Sequence, residues 1–374
     1  MLQLRLPLPR FVSAGELFSG SGSLGALRAL DAAKAAVLVS PSVLRQHADV
    51  IERSVGADVV KLISMPRGEP SVTSLAPVLR ELEEFQPDWI IAIGGGSVID
   101  GAKVAWVLYE HPAVDRERLL LAGGIPTLRG KAKFAAVPTT AGTGSEVSSS
   151  ALLIDEATGR KHALASPELL PDVAVLDPRL VVGSPAAVIA HAGLDALAHA
   201  VESYVSRLEN PLADLLAEKA TAEIFQALPT LLRDSVDEAS CLRMMNASLL
   251  AGWVQNQKIP GIGHAIAHQL GSLGIAHGAA TGRLLASAMR YNCGDETIRV
   301  KYDALAVSLQ LADADELIAE VDELVNSVGC ASLPSELHET GDDIIAGAQE
   351  DPCARYNPRE VTADAVAEVL EGAQ

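Results

Sequence analysis

The chain has 374 residues, of which 49% are hydrophobic, and it carries a formal net charge of −19 at pH 7. This length predicts two domains, and so acidic a surface would repel phosphate backbones, which excludes nucleic acid as an expected partner. Aromatic residues make up only 3% of the chain, which disfavours a stacking surface for single strands.

The sequence also predicts a soluble, cytoplasmic protein with no membrane partner. Its four cysteines are scattered and include no CxxC pair, which is typical of reduced thiols. The opening MLQLRLPLPRFV lacks an adequate apolar stretch for a signal peptide. No apolar run reaches the roughly 18 residues that a transmembrane helix requires.

The first half alternates short β-type runs with helical patterns. The β-type runs are AAVLVS (35–40), DVVKLIS (58–64), WIIAI (89–93) and FAAVP (134–138), and SVTSLAPVLRELEEF (71–85) is a helical stretch between them. This alternation predicts an α/β domain with a parallel, Rossmann-like sheet covered by helices on both faces. ALLIDEATGRKHAL (151–164) differs and predicts a hairpin with its turn at Ala157–Gly159.

The pattern changes after DVAVLDPRLVVGSP (172–185). The chain becomes rich in Ala and Leu at helical spacing, as in 212–232, and β-branched runs become rare. We therefore predict a dinucleotide-binding α/β domain over 1–180 and an all-α, metal-binding domain over 181–374. Ligands of open α/β sheets bind beyond the carboxyl ends of the strands, and here that edge would face the helical domain.

Glycine clusters offer two candidate dinucleotide sites. Gly20 to Gly25 matches GxGxxG, but it follows no convincing buried strand, and Ser40-Pro41 stands where an acidic residue is expected about 20 residues later. We interpret this segment as a flexible turn into a helix. The second cluster, 94–97, directly follows WIIAI and opens a helix whose N-terminus suits a pyrophosphate. A tight turn without a ligand gives the same pattern.

A third segment after a strand, PTTAGTGSE (138–146), suits ribose, phosphate or nicotinamide contacts, although such loops are common.

Histidines cluster in the second half at spacings that suggest one metal ion. Asp195 and His199 lie four residues apart, and His264 and His268 repeat that spacing, so each pair projects from one helix face. His277 follows a glycine-containing turn. Three imidazoles and a carboxylate suit Zn²⁺ or Fe²⁺. His191 is also four residues from Asp195, so spacing alone does not select the ligands, and one histidine could carry protons instead.

Taken together, these segments resemble the iron-containing (group III) alcohol dehydrogenase family, whose fold is similar to that of dehydroquinate synthase. The matching text is IAIGGGSVIDGAK, AAVPTTAGTGSEVSSSALLIDE, VAVLDPRLVVGSP, HAGLDALAHAVESYVS, GIGHAIAHQLGSLGIAHG and the NPR of 357–359. The resemblance covers nearly the whole chain. It implies a metal-dependent, NAD(P)(H)-dependent alcohol dehydrogenase or aldehyde reductase that acts on small alcohols or aldehydes, and a homodimer.

The resemblance also implies roles for individual residues. It places Fe²⁺ or Zn²⁺ on Asp195, His199, His264 and His277, makes His268 a proton-transfer residue beside the nicotinamide, and leaves His191 a structural role. Asp100 is implied both as a catalytic residue and as a cofactor contact near the nicotinamide. The implied cofactor-binding residues are Ser40, Gly95, Gly96, Ser97, Asp100, Thr139, Thr140, Thr143, Lys161 and Leu180.

Three features depart from the family pattern. The family often has Asp after the second strand, where this chain has Ser40-Pro41, so we predict that NADP(H) is accepted or even preferred. The segment from His264 to His277 is slightly shorter than the common form. Ser148-Ser149-Ser150 occupies a stretch that often carries a larger residue, which would alter the space for the substrate.

Other functions remain open at this point. A lyase or cyclase of the dehydroquinate synthase type uses the same fold and keeps its nicotinamide through the cycle. An inactive, metal-free member of the family would have a nonenzymatic role. Within redox chemistry, maleylacetate-type reduction and polyol oxidation are further candidates.

Overall fold

The structure is a computed structural model that describes residues 11–121, 123–154, 156, 161–330, 332–334, 337 and 341–373. Within these residues the first half is an α/β unit and the second half is helical. Both parts of the predicted fold class are therefore confirmed. No helix in the described ranges is long and apolar enough to cross a membrane.

A six-stranded parallel sheet forms the centre of the first half. Its strands are β1 Glu16–Ser19, β2 Ala32–Val39, β3 Ala57–Ser64, β4 Trp89–Gly94, β5 Lys133–Pro138 and β8 Val173–Leu176. They lie in the order β1-β8-β5-β4-β2-β3. Every residue of β4 is buried because helices cover both faces of the sheet, which explains the unbroken apolar run of 89–93.

Four helices connect these strands, and a hairpin stands apart from the sheet. The helices are α1 Pro41–Ser54, α2 Val72–Phe85, α3 Gly96–Glu110 and α4 Arg116–Leu119. The strands β6 Ser150–Ile154 and β7 Lys161–Ala165 pair antiparallel, with Ser150 opposite Ala165, which confirms the predicted hairpin. Its predicted turn at Ala157–Gly159 lies outside the described residues.

The second half consists of helices joined by short segments. They are α5 Ala186–Tyr204, α6 Pro211–Arg233, α7 Glu238–Gln257, α8 Ile262–Leu270, α9 His277–Asn292, α10 Glu296–Ser308, α11 Ala314–Ser327, α12 Gly341–Glu350, α13 Pro352–Tyr356 and α14 Ala363–Gly372. The Ala/Leu-rich pattern of 212–232 corresponds to α6. Packing of α5 against α6, α7 and α9 builds the largest apolar core, which includes Leu194, Leu197 and Leu228.

The segment Gly20–Gly25 follows a strand that is not buried, which agrees with the sequence interpretation. That strand, β1, is an edge strand with four exposed residues, so it lacks the apolar signal of a buried strand. Gly20 and Gly22 have φ angles of 127° and 85°, and the turn leads into a 3₁₀ helix at Ser23–Ala29. The Leu24 N–H donates to Asp177 Oδ2 at 3.0 Å, so the segment packs on the end of β8.

The carboxyl ends of the central strands meet at one edge of the sheet. The chain passes from β2 outward to β3 and then returns to β4 on the other side of β2, so the strand order reverses between β2 and β4. Such a reversal opens a crevice that binds ligands in α/β sheets. Ser40 follows β2, Gly94 ends β4 and Thr139 follows β5, so all three lie at this edge.

Candidate metal and cofactor site

Three helices bring an aspartate and three histidines together. Asp195 and His199 lie on α5, His264 lies on α8, and His277 begins α9. Asp195 is only 2% exposed. Its carboxylate oxygens lie 3.9 Å from His199 Nδ1, 3.8 Å from His264 Nε2 and 3.5 Å from His277 Nε2. Potential ligand atoms of Asp195, His199 and His264 all lie within 4.8 Å of one another.

The first turn of α8 is held by side chains from elsewhere in the chain. Glu202 of α5 accepts hydrogen bonds from the N–H groups of Gly263 (2.7 Å) and His264 (3.1 Å). Asn357 accepts from the Ile262 N–H at 3.1 Å. The orphan donors of the helix N-terminus are thereby paired. A Cβ atom on Gly261 would lie 2.4 Å from the Asn357 side chain, so glycine is required for this approach.

Glu202 also fixes the orientation of the His264 ring. His264 Nδ1 donates to Glu202 Oε2 at 2.5 Å, which leaves the lone pair on Nε2 available. Burial alone would lower the pKa of His264, but the hydrogen bond and charge of Glu202, with Asp195 and Asp351, raise the pKa above its ordinary value. A carboxylate behind the imidazole is the usual support of a metal-ligating histidine.

Buried polar atoms without partners mark the centre of the cluster. His199 Nδ1, His264 Nε2 and His277 Nδ1 have no hydrogen-bond partner among the described residues. Burial and the neighbouring imidazoles lower the pKa of His199 and of His277 far below the ordinary value, so both rings are neutral. Burial raises the pKa of Asp195 to about 6, partly offset by His264. A divalent cation would remove these costs of burial, so the donor set fits such an ion.

His268 stands beside the cluster in a different environment. Its Nδ1 lies 2.9 Å from Asp351 Oδ2, and its ring stacks on that of His277 with centroids 5.2 Å apart. Asp351 Oδ1 accepts from the Cys353 N–H at 2.8 Å, which also caps α13. Burial would raise the pKa of Asp351, but His268 and the Cys353 N–H lower it below the ordinary value. Asp351 therefore faces His268 as a carboxylate.

These groups line a cavity of about 330 Å³. Five of the predicted cofactor-binding residues line it as well: Gly96, Ser97, Asp100, Thr143 and Lys161. The other five do not belong to its lining: Ser40, Gly95, Thr139, Thr140 and Leu180. Ser40, Gly95 and Thr139 lie along the carboxyl edge of the sheet, and Leu180 is buried in the apolar core beneath it. His191 is outside the lining too, and its backbone packs on Gly278.

The glycine turn after β4 allows the start of α3 to approach the 138–146 loop. A Cβ atom on Gly96 would lie 2.6 Å from Thr143 Cγ2, and one on Gly95 would lie 3.4 Å from Thr140 Cγ2. A side chain at position 96 would push the two segments apart, whereas a Cβ atom at position 95 would make an ordinary van der Waals contact. Gly96 therefore keeps the N-terminus of α3 at the cavity, where its backbone N–H groups favour an anion.

Three buried ionisable residues, Asp100, Lys103 and Glu146, lie at or beside the cavity, and Asp100 belongs to its lining. Burial raises the pKa of Asp100 to about 6 and of Glu146 to about 7, and it lowers the pKa of Lys103 to about 8. Lys103 Nζ donates to the carbonyl oxygens of Ser148 (2.7 Å) and Ser150 (2.9 Å). Ser148, Ser149 and Ser150, which were predicted to alter the space for the substrate, all line the cavity. Two of them also bind this lysine through their carbonyl oxygens.

Sequence reasoning missed the carboxylates that support the histidines. Glu202 lies three residues after His199 on the same helix, and that spacing was a usable signal. Asp351 lies 83 positions from its partner His268, so no local pattern joins the two. The same holds for Glu69, which pairs with Lys161 from 92 positions away. The segment before His277, slightly short by sequence, contains a 3₁₀ helix at Gly271–Leu273 and still brings His277 to Asp195.

A glycine turn at the carboxyl edge of a parallel sheet suits a dinucleotide, and a buried cluster of imidazoles and a carboxylate suits a divalent cation, so the fold and cavity define a class of enzyme that would use both. The chain belongs to the iron-containing alcohol dehydrogenase family. The family model for iron-containing alcohol dehydrogenase matches residues 14–178, and the model for the C-terminal part of Fe-containing alcohol dehydrogenases matches 189–374. It is therefore an oxidoreductase, an alcohol dehydrogenase.

Individual relatives agree with this assignment. The chain is 33% identical to an NADPH-dependent butanol dehydrogenase of Clostridium saccharobutylicum, over 98% of this chain and 97% of that protein. It is 32% identical to the 1-propanol dehydrogenase PduQ of Salmonella typhimurium, over 95% and 97%. The structure of an iron-containing alcohol dehydrogenase from Thermococcus thioreducens superposes with a TM-score of 0.90 at 29% identity, over 97% of this chain and 99% of that one.

Proposed function

We propose that this alcohol dehydrogenase transfers hydride reversibly between NAD(P)(H) and a small primary or secondary alcohol or its carbonyl product. We assign a single Fe²⁺ or Zn²⁺ to Asp195, His199, His264 and His277. The observation that carries the metal assignment is His264, whose Nδ1 is bonded to Glu202 while its buried Nε2 has no partner among the described residues. Such an ion, when bound, polarises a carbonyl oxygen.

The cofactor is assigned to the cavity edge of the sheet. The N-terminus of α3, with Gly95, Gly96 and Ser97, would hold the pyrophosphate. Thr139, Thr140 and Thr143 would line the cleft, and Leu180 would support it from below. Asp100 and Lys161 line the same cavity as the histidines, which suits the nicotinamide end. Asp100 Oδ1 is buried without a partner among the described residues, so it is free to accept from a carboxamide.

His268 is assigned to proton transfer with Asp351 as its positioning residue. The Asp351 carboxylate holds Nδ1 at 2.9 Å, and the stack on His277 fixes the plane of the ring. The remaining nitrogen, Nε2, can then exchange a proton with the alcohol oxygen, directly or through water. Because His268 is assigned no metal ligation, its loss should affect turnover more than metal binding.

We further propose that NADP(H) is accepted, and that Ser40 permits it. Ser40 directly follows β2 at the reversal point of the sheet, where a carboxylate would repel a 2′-phosphate. Its Oγ caps α1 by accepting from the Val43 N–H, a role that Asp fills equally well. Ser40→Asp should therefore fold normally while kcat/KM for NADPH falls relative to NADH by at least about tenfold. A wild-type enzyme that favours NADH by about a hundredfold would contradict the proposal.

The decisive experiment joins metal analysis with turnover. Protein purified without chelator should contain about one Fe²⁺ or Zn²⁺ per chain, since the cluster offers donors for one ion. It should oxidise NADPH or NADH in the presence of short aldehydes, followed at 340 nm. His264→Ala should lose both the metal and the activity. Full activity in metal-free protein would refute the metal assignment, and absence of cofactor turnover with every aldehyde would refute the redox assignment.

Three further proposals concern the setting of the enzyme. We propose a division into two domains near residue 180, supported by the passage from strands to helices between β8 and α5. A cytoplasmic location is supported by the four cysteines, none of which forms a disulfide in the described part of the chain. A homodimer follows from the family resemblance, and size-exclusion chromatography with light scattering tests it.

A further inference from the structure

Apart from the assigned metal ion, one basic side chain faces several carboxylates in the described lining of the cavity. Among the described residues that line it, Lys161 is the one Lys or Arg, whereas the acidic lining residues are Glu69, Asp100, Asp195 and Asp351. Asp195 is assigned to the metal, and Asp351 is hydrogen-bonded to His268. When the aldehyde oxygen of a substrate faces the assigned metal ion, a carboxylate at the other end of that substrate has Lys161 as its partner of opposite charge.

Lys161 is already paired with the carboxylate of Glu69. Lys161 Nζ donates to Glu69 Oε1 at 2.8 Å. The Lys161 side chain is 6% exposed and that of Glu69 is 36% exposed, so the acid lies on the solvent side of the lysine. Lys161 begins β7 of the hairpin, whereas Glu69 lies in the segment between β3 and α2. The pair thus joins two elements that border the cavity.

Packing fixes the position of the lysine. Its stem lies against the end of α8, since a Cβ atom on Gly271 would lie 3.0 Å from Lys161 Cε. Lys161 and Glu69 both line the cavity that His264 and His268 of α8 also line. The ammonium group is therefore held in the same cavity as the assigned reaction centre.

We propose that Glu69 neutralises Lys161 and thereby restricts the enzyme to uncharged aldehydes and alcohols. A substrate carboxylate would have to displace Glu69 from the lysine or remain unpaired among the other acidic groups, and either event costs free energy. An aldehyde with an alkyl end meets no such cost. This inference rests on the proposed function and adds a substrate class to it. Glu69 is a specificity-determining residue in this proposal and takes no part in hydride transfer.

The test compares two aldehydes of equal chain length, butanal and 4-oxobutanoate. In Glu69→Gln, the ratio of kcat/KM for 4-oxobutanoate to that for butanal should rise about tenfold, equivalent to about 1.4 kcal/mol. Raising the salt concentration should reduce this gain, because it screens the attraction between Lys161 and the carboxylate. KM for the cofactor is measured in each protein to show that the change concerns the aldehyde.

Glu81→Gln is the matched control. Glu81 also pairs with a lysine, Lys61, at 3.2 Å, and it does not line the cavity. This variant removes the same charge and should leave the ratio unchanged. An unchanged ratio in Glu69→Gln, or an equal rise in both variants, would overturn the proposal and leave the Glu69–Lys161 pair a structural contact only.

A binding measurement separates this inference from the proposed function. Calorimetric titration with butyrate needs no turnover, and it should show binding about tenfold tighter to Glu69→Gln than to the wild type. If butanal is reduced but neither the ratio nor butyrate binding responds to Glu69→Gln, the inference fails and the proposed function stands. If no aldehyde is reduced, the proposed function fails, and the substrate class with it, even where butyrate binding responds.

Discussion

Glu202 is the residue whose loss should separate metal binding from the rest of the fold. It is 2% exposed and accepts hydrogen bonds from His264 Nδ1 and from the N–H groups of Gly263 and His264. Glu202→Gln keeps the size of the side chain but replaces one accepting oxygen by an NH₂ group. One of the three donors must then remain unpaired, and the charge behind the imidazole is lost.

Two magnitudes follow from these contacts. One buried donor without a partner costs about 1–3 kcal/mol, so the free energy of unfolding of the metal-free variant should fall by that amount. Loss of the carboxylate support should reduce metal affinity by about 10–100-fold, equivalent to about 1.4–2.7 kcal/mol. Urea unfolding in excess chelator gives the first quantity, and competition with a chromogenic chelator for Zn²⁺ gives the second.

Glu218→Gln provides the comparison. Glu218 lies on α6 and accepts a hydrogen bond from the Tyr204 hydroxyl at 3.3 Å. The substitution removes the same charge as Glu202→Gln, but at a position outside the histidine cluster. It should leave metal affinity at the wild-type value. If Glu202→Gln binds Zn²⁺ as tightly as the wild type, Glu202 only caps α8. Its hydrogen bond to His264 Nδ1 would then not indicate that His264 Nε2 is a metal ligand.

Two further predictions concern other carboxylates and His268. His268→Ala should slow turnover yet retain metal, and Asp351→Asn, which can still cap α13, should lower kcat about 10–100-fold with little change in KM for the aldehyde; loss of metal in either variant would show that His268 is misassigned. Burial raises the pKa of Glu146 from 4.5 to about 7, so the folded state keeps a proton that the unfolded state loses, and stability falls as pH rises between these values. Glu146→Gln should remove that fall. At pH 8 the free energy of unfolding of the variant, measured with urea, should exceed that of the wild type by roughly 3 kcal/mol, and at pH 4 the two values should be equal. A constant difference between the two proteins across this pH range would contradict the prediction.

The fold could be predicted where burial leaves a periodic mark on the sequence. WIIAI is apolar throughout because β4 is covered on both faces, and the α6 pattern extends over 212–232 because one face of that helix is buried. β1 shows no periodic apolar pattern, since its four residues are exposed. It is held in the sheet by pairing with β8. Pairing partners of an edge strand are set by topology, which short-range patterns do not record.

The candidate site divides in the same way. Asp195 and His199 could be predicted because four positions along a helix place two side chains on one face. Lys103 could not, because a lysine in a helical pattern suggests an exposed position. Its complete burial depends on carbonyl acceptors at Ser148 and Ser150, which only the hairpin brings to it. The pairing of His268 with Asp351 likewise needs α8 and α13 to be in contact.

The capping of α8 has a consequence for biosynthesis. His264 is anchored through a helix start whose first N–H group is paired by Asn357, and His268 is anchored by Asp351. A nascent polypeptide that has emerged only as far as α9 already displays all four assigned ligands, yet these two anchors are still missing. Glu202 is then the one described side chain that pairs the start of α8, so we expect the ligands to gain their final geometry only after the segment around Asn357 has been translated.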